Sequence, residues 1–100
     1  MAIAQRARQK APDNPAIADT LGWAFLKQGS LDSSIQVFKM LVERFPDQPV
    51  YHYHLGAAML QRGWKDLAGD ELEIALSKNP TKEDRDKIKG LLAVIITGGK

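Results

Sequence analysis

The sequence predicts an all-α chain in which antiparallel helix hairpins stack side by side as a short repeat array. Three observations carry that expectation. First, the chain repeats itself at a fixed interval: Leu21-Gly22 returns as Leu55-Gly56, Gly29 as Gly63, Pro15 as Pro49 and Pro46 as Pro80, each 34 residues on. Pro12 stands the same distance before Pro46, and Gly90 the same distance after Gly56. Self-similarity at a fixed period of about 20–50 residues marks a stacked architecture whose units bury their apolar faces on one another. Second, apolar residues recur at helical spacing through every segment, with no alternation of polar and apolar residues that would mark a strand. Third, Gly and Pro fall between those segments rather than inside them, where they end helices and start the next.

Taken in order, residues 2–11 favour a helix that stops at Pro12. Asn14 caps the next helix and Pro15 suits its first turn, where no backbone N–H is needed. Ala18, Leu21, Gly22, Phe25 and Leu26 carry its apolar positions to Gln28, and Gly29 supplies the left-handed residue that ends it. Ser30 is the expected cap of a helix with Ile35, Phe38, Leu41, Val42 and Phe45 on one face, stopped by Pro46. The second copy opens at Pro49, runs through Tyr51, His52, Leu55, Gly56, Met59 and Leu60, and closes at Gly63. A helix from about Lys65 to Ser77 is expected to bury Leu67, Ala68, Leu72, Ala75 and Leu76 before Asn79-Pro80. Thr81 and Asp84 have capping-box spacing, with Asp in place of Glu. They start a last helix through Ile88, Leu91, Leu92, Ile95 and Ile96, ended by Gly98-Gly99.

Helices of about 13 residues are roughly 20 Å long and need packing partners to persist. Links of two to four residues force neighbours antiparallel. Small residues stand where close crossing requires them, Gly22 with Ser34 in one copy and Gly56 with Ala68 in the other.

Composition narrows the rest. The chain has 100 residues, 44% of them hydrophobic, enough for one domain with a core. A formal charge of +2, from 14 basic and 12 acidic residues, is too balanced to suggest a nucleic-acid or anionic-membrane partner. Without cysteine there are no disulfides or thiolate metal sites. No signal peptide is visible, and the apolar run from Leu91 to Ile96 is far short of the roughly 20 residues a spanning helix needs. A soluble chain is expected, with cytoplasm and periplasm both open.

The repeated residues resemble the tetratricopeptide repeat, whose pattern is an aromatic, Leu-Gly, another aromatic, Ala-x-x-x-Phe and a closing Pro. The first copy matches with Leu21-Gly22, Phe25, Ser34, Phe38 and Pro46, and the second with Leu55-Gly56, Met59, Ala68, Leu72 and Pro80. Ala18 and His52 replace the leading aromatic, and Trp64 lies one place before the usual aromatic of the second hairpin. On this resemblance residues 2–12 are the second half of an earlier repeat, 13–46 and 47–80 are full repeats, and 81–97 form a C-terminal capping helix. The hairpins would wind as a short right-handed superhelix. Asp19-Thr20-Leu21-Gly22-Trp23-Ala24 and Tyr53-His54-Leu55-Gly56 are also similar to the closing repeats of large bacterial proteins linked to exopolysaccharide export or exosortase sorting. That similarity, and a start inside a half repeat, lead us to expect a longer parent chain.

The resemblance implies a non-enzymatic protein-interaction module. In the family's geometry the first helix of each hairpin lines a concave surface. The residues pointing into it would be Asp19, Thr20, Trp23, Leu26 and Lys27, then Tyr53, His54, Ala57, Leu60 and Gln61, with Lys87, Ile88, Leu91 and Val94 from the last helix. Trp23, Leu26, Tyr53 and Leu60 would anchor a peptide or partner helix, while Asp19, Lys27, His54 and Lys87 fix its orientation. The carboxylate clamp of some family members is absent, since Asp19 and Trp23 occupy two of its places. The alternative is a structural segment for assembly, as spacer in a longer solenoid or through self-association of the greasy end of the last helix.

Other chemistry finds no support. His52 and His54, two apart on a helix, point roughly 200° away from each other, and no third metal ligand stands nearby. His54 is expected as a groove donor and His52 in the packing. Asp70, Glu71 and Glu73 are expected on a solvated face rather than in an acid–base pair. Arg6, Arg8 and Lys10 form a small basic face expected to be solvated. The glycines are spaced for turns and crossings, not for a phosphate loop. No cofactor or metal is expected.

Overall fold

The computed structural model describes residues 14–97. They form five helices, with no strand among the described residues: α1 (Pro15–Gln28), α2 (Leu31–Arg44), α3 (Pro49–Arg62), α4 (Lys65–Ser77) and α5 (Lys82–Ile96). The expected helix over residues 2–11 lies outside the described residues.

The helix ends follow the local chemistry. The Asn14 side chain accepts the Ile17 N–H at 3.3 Å, and Pro15 takes the first helical position. Gly29 adopts φ 82°, with its own N–H donating to the Leu26 carbonyl and that of Ser30 to Phe25. Gly63 repeats this at φ 95°, with Gly63 N–H donating to Leu60 and Trp64 N–H to Met59. This paired closure satisfies two carbonyls that a helix end leaves bare. After α4, Asn79 takes a left-handed φ of 59° and is followed by Pro80. Thr81 Oγ1 then accepts the Asp84 N–H at 3.1 Å to start α5.

One expected cap is not made. Ser30 donates no side-chain cap bond to α2 and accepts none there. Its backbone N–H is committed to closing α1, and the tight Gly29-Ser30 link holds it at φ −82°, ψ 70°.

Each hairpin is closed by a glycine facing a large side chain. A Cβ on Gly22 would lie 2.7 Å from the Phe38 ring, and one on Gly56 would lie 2.8 Å from Leu72 Cγ. Neither position has room for even one more carbon unless the facing side chain moves. Phe38, Leu41, Leu55 and Leu72 are fully buried around these crossings. α3 packs against both α2 and α4, which joins the two hairpins into one core. α5 lies on α4 and, more lightly, on α3, with Ile88 fully buried and Leu91, Leu92 and Ile95 half-buried.

Two expectations for α4 are corrected. Leu67 is 51% exposed. The buried stripe runs through Ala68, Leu72 and Ala75, and a residue one place earlier sits about 100° round the helix from it. Glu71 is not on a solvated face either. Its carboxylate accepts from His52 Nδ1 at 2.8 Å, while His52 Nε2 lies 2.7 Å from the Pro46 carbonyl. His52 is only 4% exposed, so both contacts lie inside the packing.

Candidate protein-binding groove

The first helices of the two hairpins and α5 sit side by side, α1 against α3 and α3 against α5. Along them runs an open concavity of about 630 Å³. α1 contributes Trp23, Leu26 and Lys27, α3 contributes Tyr53, Ala57 and Gln61, and α5 contributes Lys87, Gly90, Leu91 and Val94. Three-residue and four-residue steps put each set on one helix face, so three short runs of sequence meet along a single surface.

Trp23 is half-buried. Its ring centroid lies 4.6 Å from that of His54, which also meets Phe38 at 5.5 Å and Tyr53 at 5.0 Å. His54 Nδ1 is 2.7 Å from Asp19 Oδ1, and the Nδ1–H tautomer donates to that carboxylate. Asp19 thereby fixes the imidazole, and the imidazole supports one side of the indole. Trp23 also lines the concavity.

Burial, and then the negative charge of Asp84, raise the pKa of the Tyr53 phenol above its ordinary value. The Tyr51 phenol is raised in the same way by burial and then by Asp19. Both phenols stay protonated near neutral pH.

Five of the residues expected in the groove are not among its lining residues. Asp19 and His54 lie beside the concavity and are bonded to each other, so His54 Nδ1 is not a donor available to a ligand. Thr20 borders a separate hollow on α1 with Asn14, Ala16, Ile17, Leu21 and Ala24, and its hydroxyl donates to the Ala16 carbonyl at 3.0 Å. Leu60 is half-buried against the core. Ile88, also expected in the groove, is fully buried against α3 and α4. Gly90 was not foreseen as lining, although its phase with Gly22 and Gly56 already distinguished it.

The electrostatics of the lining are one-sided. Lys27 and Lys87 are exposed and belong to none of the ion pairs formed among the described residues, which are His52–Glu71, His54–Asp19, Arg62–Asp32 and Lys78–Asp47. No carboxylate among the described residues lines the concavity. Among the described residues no three His, Cys, Asp or Glu side chains cluster as metal ligands. His52 turns toward α4 and His54 toward α1, so the two imidazoles face different helices.

Residues 1–58 match the tetratricopeptide repeat family. The chain belongs to that family. It is 37% identical over 51 residues to a TPR repeat-containing protein of Pseudomonas aeruginosa, an alignment covering 51% of this chain and 8% of that protein. The chain thus spans a small part of its relative's length. Tetratricopeptide repeats generally mediate protein–protein interaction. Among the described residues no helix is long and apolar enough to cross a membrane.

Proposed function

We propose that the surface formed by α1, α3 and α5 is a non-enzymatic binding groove for a peptide or partner helix of another protein. The observation that carries this is Trp23. It is a large, half-buried aromatic that meets His54, itself bonded to Asp19, and it lines a largely apolar concavity. Aromatic anchors of this kind commonly carry much of an interface's energy. Leu26, Tyr53, Ala57, Leu91 and Val94 extend the apolar floor, and Lys27, Gln61 and Lys87 supply polar contacts. The sequence similarity around Asp19–Ala24 and Tyr53–Gly56 supports placing the segment near the end of a bacterial protein tied to exopolysaccharide export or exosortase sorting.

Trp23→Ala tests the groove. Loss of a central anchor should weaken partner binding by about 2 kcal/mol, roughly thirtyfold. The loss of thermal stability should stay below the 3–5 kcal/mol or so of a fully buried Trp. Isothermal titration with a captured partner, run beside a thermal melt, separates the two. A collapsed melt with unchanged affinity in the residual folded fraction would make Trp23 a core residue.

A second reading, a structural segment for assembly, is favoured by the two flanks of the array. Ile17 on α1 is 60% exposed and Ile96 on α5 is 82% exposed. Sedimentation of the wild-type chain and of an Ile96→Lys variant tests it, since assembly through α5 requires a mass that falls on substitution.

A further inference from the structure

The groove has one chemical bias that its peptide-binding role does not require. Lys27 and Lys87 are its only charged lining residues, and neither has an ion-pair partner among the described residues. The nearby carboxylates are differently engaged. Asp19 is bonded to His54, and Asp84 lies at the start of α5, where its field acts on Tyr53. The lysines also stand on different walls of the concavity, Lys27 on α1 and Lys87 on α5. Trp23 and Leu91 are two 34-residue steps apart in the sequence. Lys27 follows Trp23 by one helical turn, and Lys87 precedes Leu91 by one.

Gly90 adds an independent observation. Its in-phase counterparts are explained inside the chain, because Gly22 receives Phe38 and Gly56 receives Leu72. A Cβ on Gly90 would meet nothing within 4 Å, and its backbone is not in the left-handed region. Glycine weakens a helix interior, yet no neighbour among the described residues requires it here. Its bare backbone borders the concavity next to Leu91 and leaves space for an occupant.

We propose, resting on the protein-binding reading of the groove, that its occupant is an acidic protein segment. One apolar side chain seats between Trp23, Tyr53 and Leu91 against the bare backbone of Gly90, and carboxylates on either side of it meet Lys27 and Lys87. Two lysines on different walls of an apolar concavity suit a segment that mixes acidic and apolar side chains rather than the continuous charge of a nucleic acid, whose affinity scales with the number of phosphates contacted.

The test uses the full 100-residue chain and fluorescein-labelled synthetic peptides, read by anisotropy at low and high salt. One peptide has a central leucine flanked on both sides by glutamates. Its twins carry lysines for the glutamates, or serine for the leucine. The acidic leucine peptide should bind best and weaken as salt is raised. Lys27→Glu combined with Lys87→Glu should weaken it at least tenfold or so and shift preference to the lysine twin. Gly90→Leu, checked for retained helix by circular dichroism, should weaken both leucine peptides by filling the seat.

Equal binding of the acidic and lysine peptides, with loss in Trp23→Ala, overturns the acidic assignment and leaves the groove standing. Acidic binding that survives Trp23→Ala but not the lysine reversals puts the contact outside the groove and removes both. Displacement of the acidic peptide by oligothymidine at lower concentration than by unlabelled peptide overturns the assignment in favour of nucleic acid. Failure of every peptide to bind at millimolar concentration overturns it outright.

Discussion

The two hairpins share a backbone plan and lock it differently. In the first, Ala18 and Val37 are buried apolar residues, and the polar contact is Ser34 Oγ donating to the Gly22 carbonyl at 2.8 Å. In the second, the residues 34 places on are His52, Glu71 and Ala68. There the apolar pair has become a hydrogen-bonded one, His52 to Glu71 and to Pro46, and the serine has become a buried alanine. What stays constant is the glycine crossing, Gly22 against Phe38 and Gly56 against Leu72. The repeat therefore demands a volume and a backbone approach at the crossing, while the polar lock can move to another pair of positions. Burying a polar group is tolerable in either copy because each one has its partner.

The sharpest way to break the comparison is at the shared feature. Gly56→Leu should destabilise by about 3 kcal/mol, the upper part of the range for overpacking, because its first added carbon already meets Leu72 and the Ala68 carbonyl oxygen. Gly22→Leu should cost about as much against Phe38. Urea melts would show this as a lower midpoint at similar slope, and a neutral result at either glycine would refute the common crossing.

The next effect concerns the polar lock. His52→Ala should cost about 2 kcal/mol, since it strands the Pro46 carbonyl and the partly covered Glu71 carboxylate. Adding Glu71→Val installs the pair found in the first hairpin and should recover much of the loss. A double-mutant cycle measures the coupling, and simple additivity would show that the two side chains are independent.

The smallest effect is the serine. Ser34→Ala should cost about 1 kcal/mol through its lost bond to Gly22. Ala68→Ser, offering the same hydroxyl to the second hairpin, should change stability by less than that. A larger gain there would mean that the second hairpin lacks a polar contact that His52 does not replace.

What the sequence determined by itself is everything that a few neighbouring residues can enforce. Gly29 and Gly63 end helices because a left-handed φ is costly for a residue with a side chain, Asn14 and Thr81 start them through bonds made within one turn, and Pro15 starts one through its fixed φ. Period adds the stacking, since a side chain as large as Phe38 or Leu72 can sit at the crossing only where a glycine faces it. The tertiary structure decided which polar residues are spent on each other. His54 finds Asp19 across 35 residues and Glu71 finds His52 across 19, contacts that no local pattern announces. Those pairings removed His54 and Asp19 from the groove lining and took Glu71 off the solvated surface. They left Lys27 and Lys87 as the charged groups on the groove walls. Helical periodicity assigns a residue to a face, but whether that face meets solvent, ligand or another helix depends on how the neighbouring elements are placed.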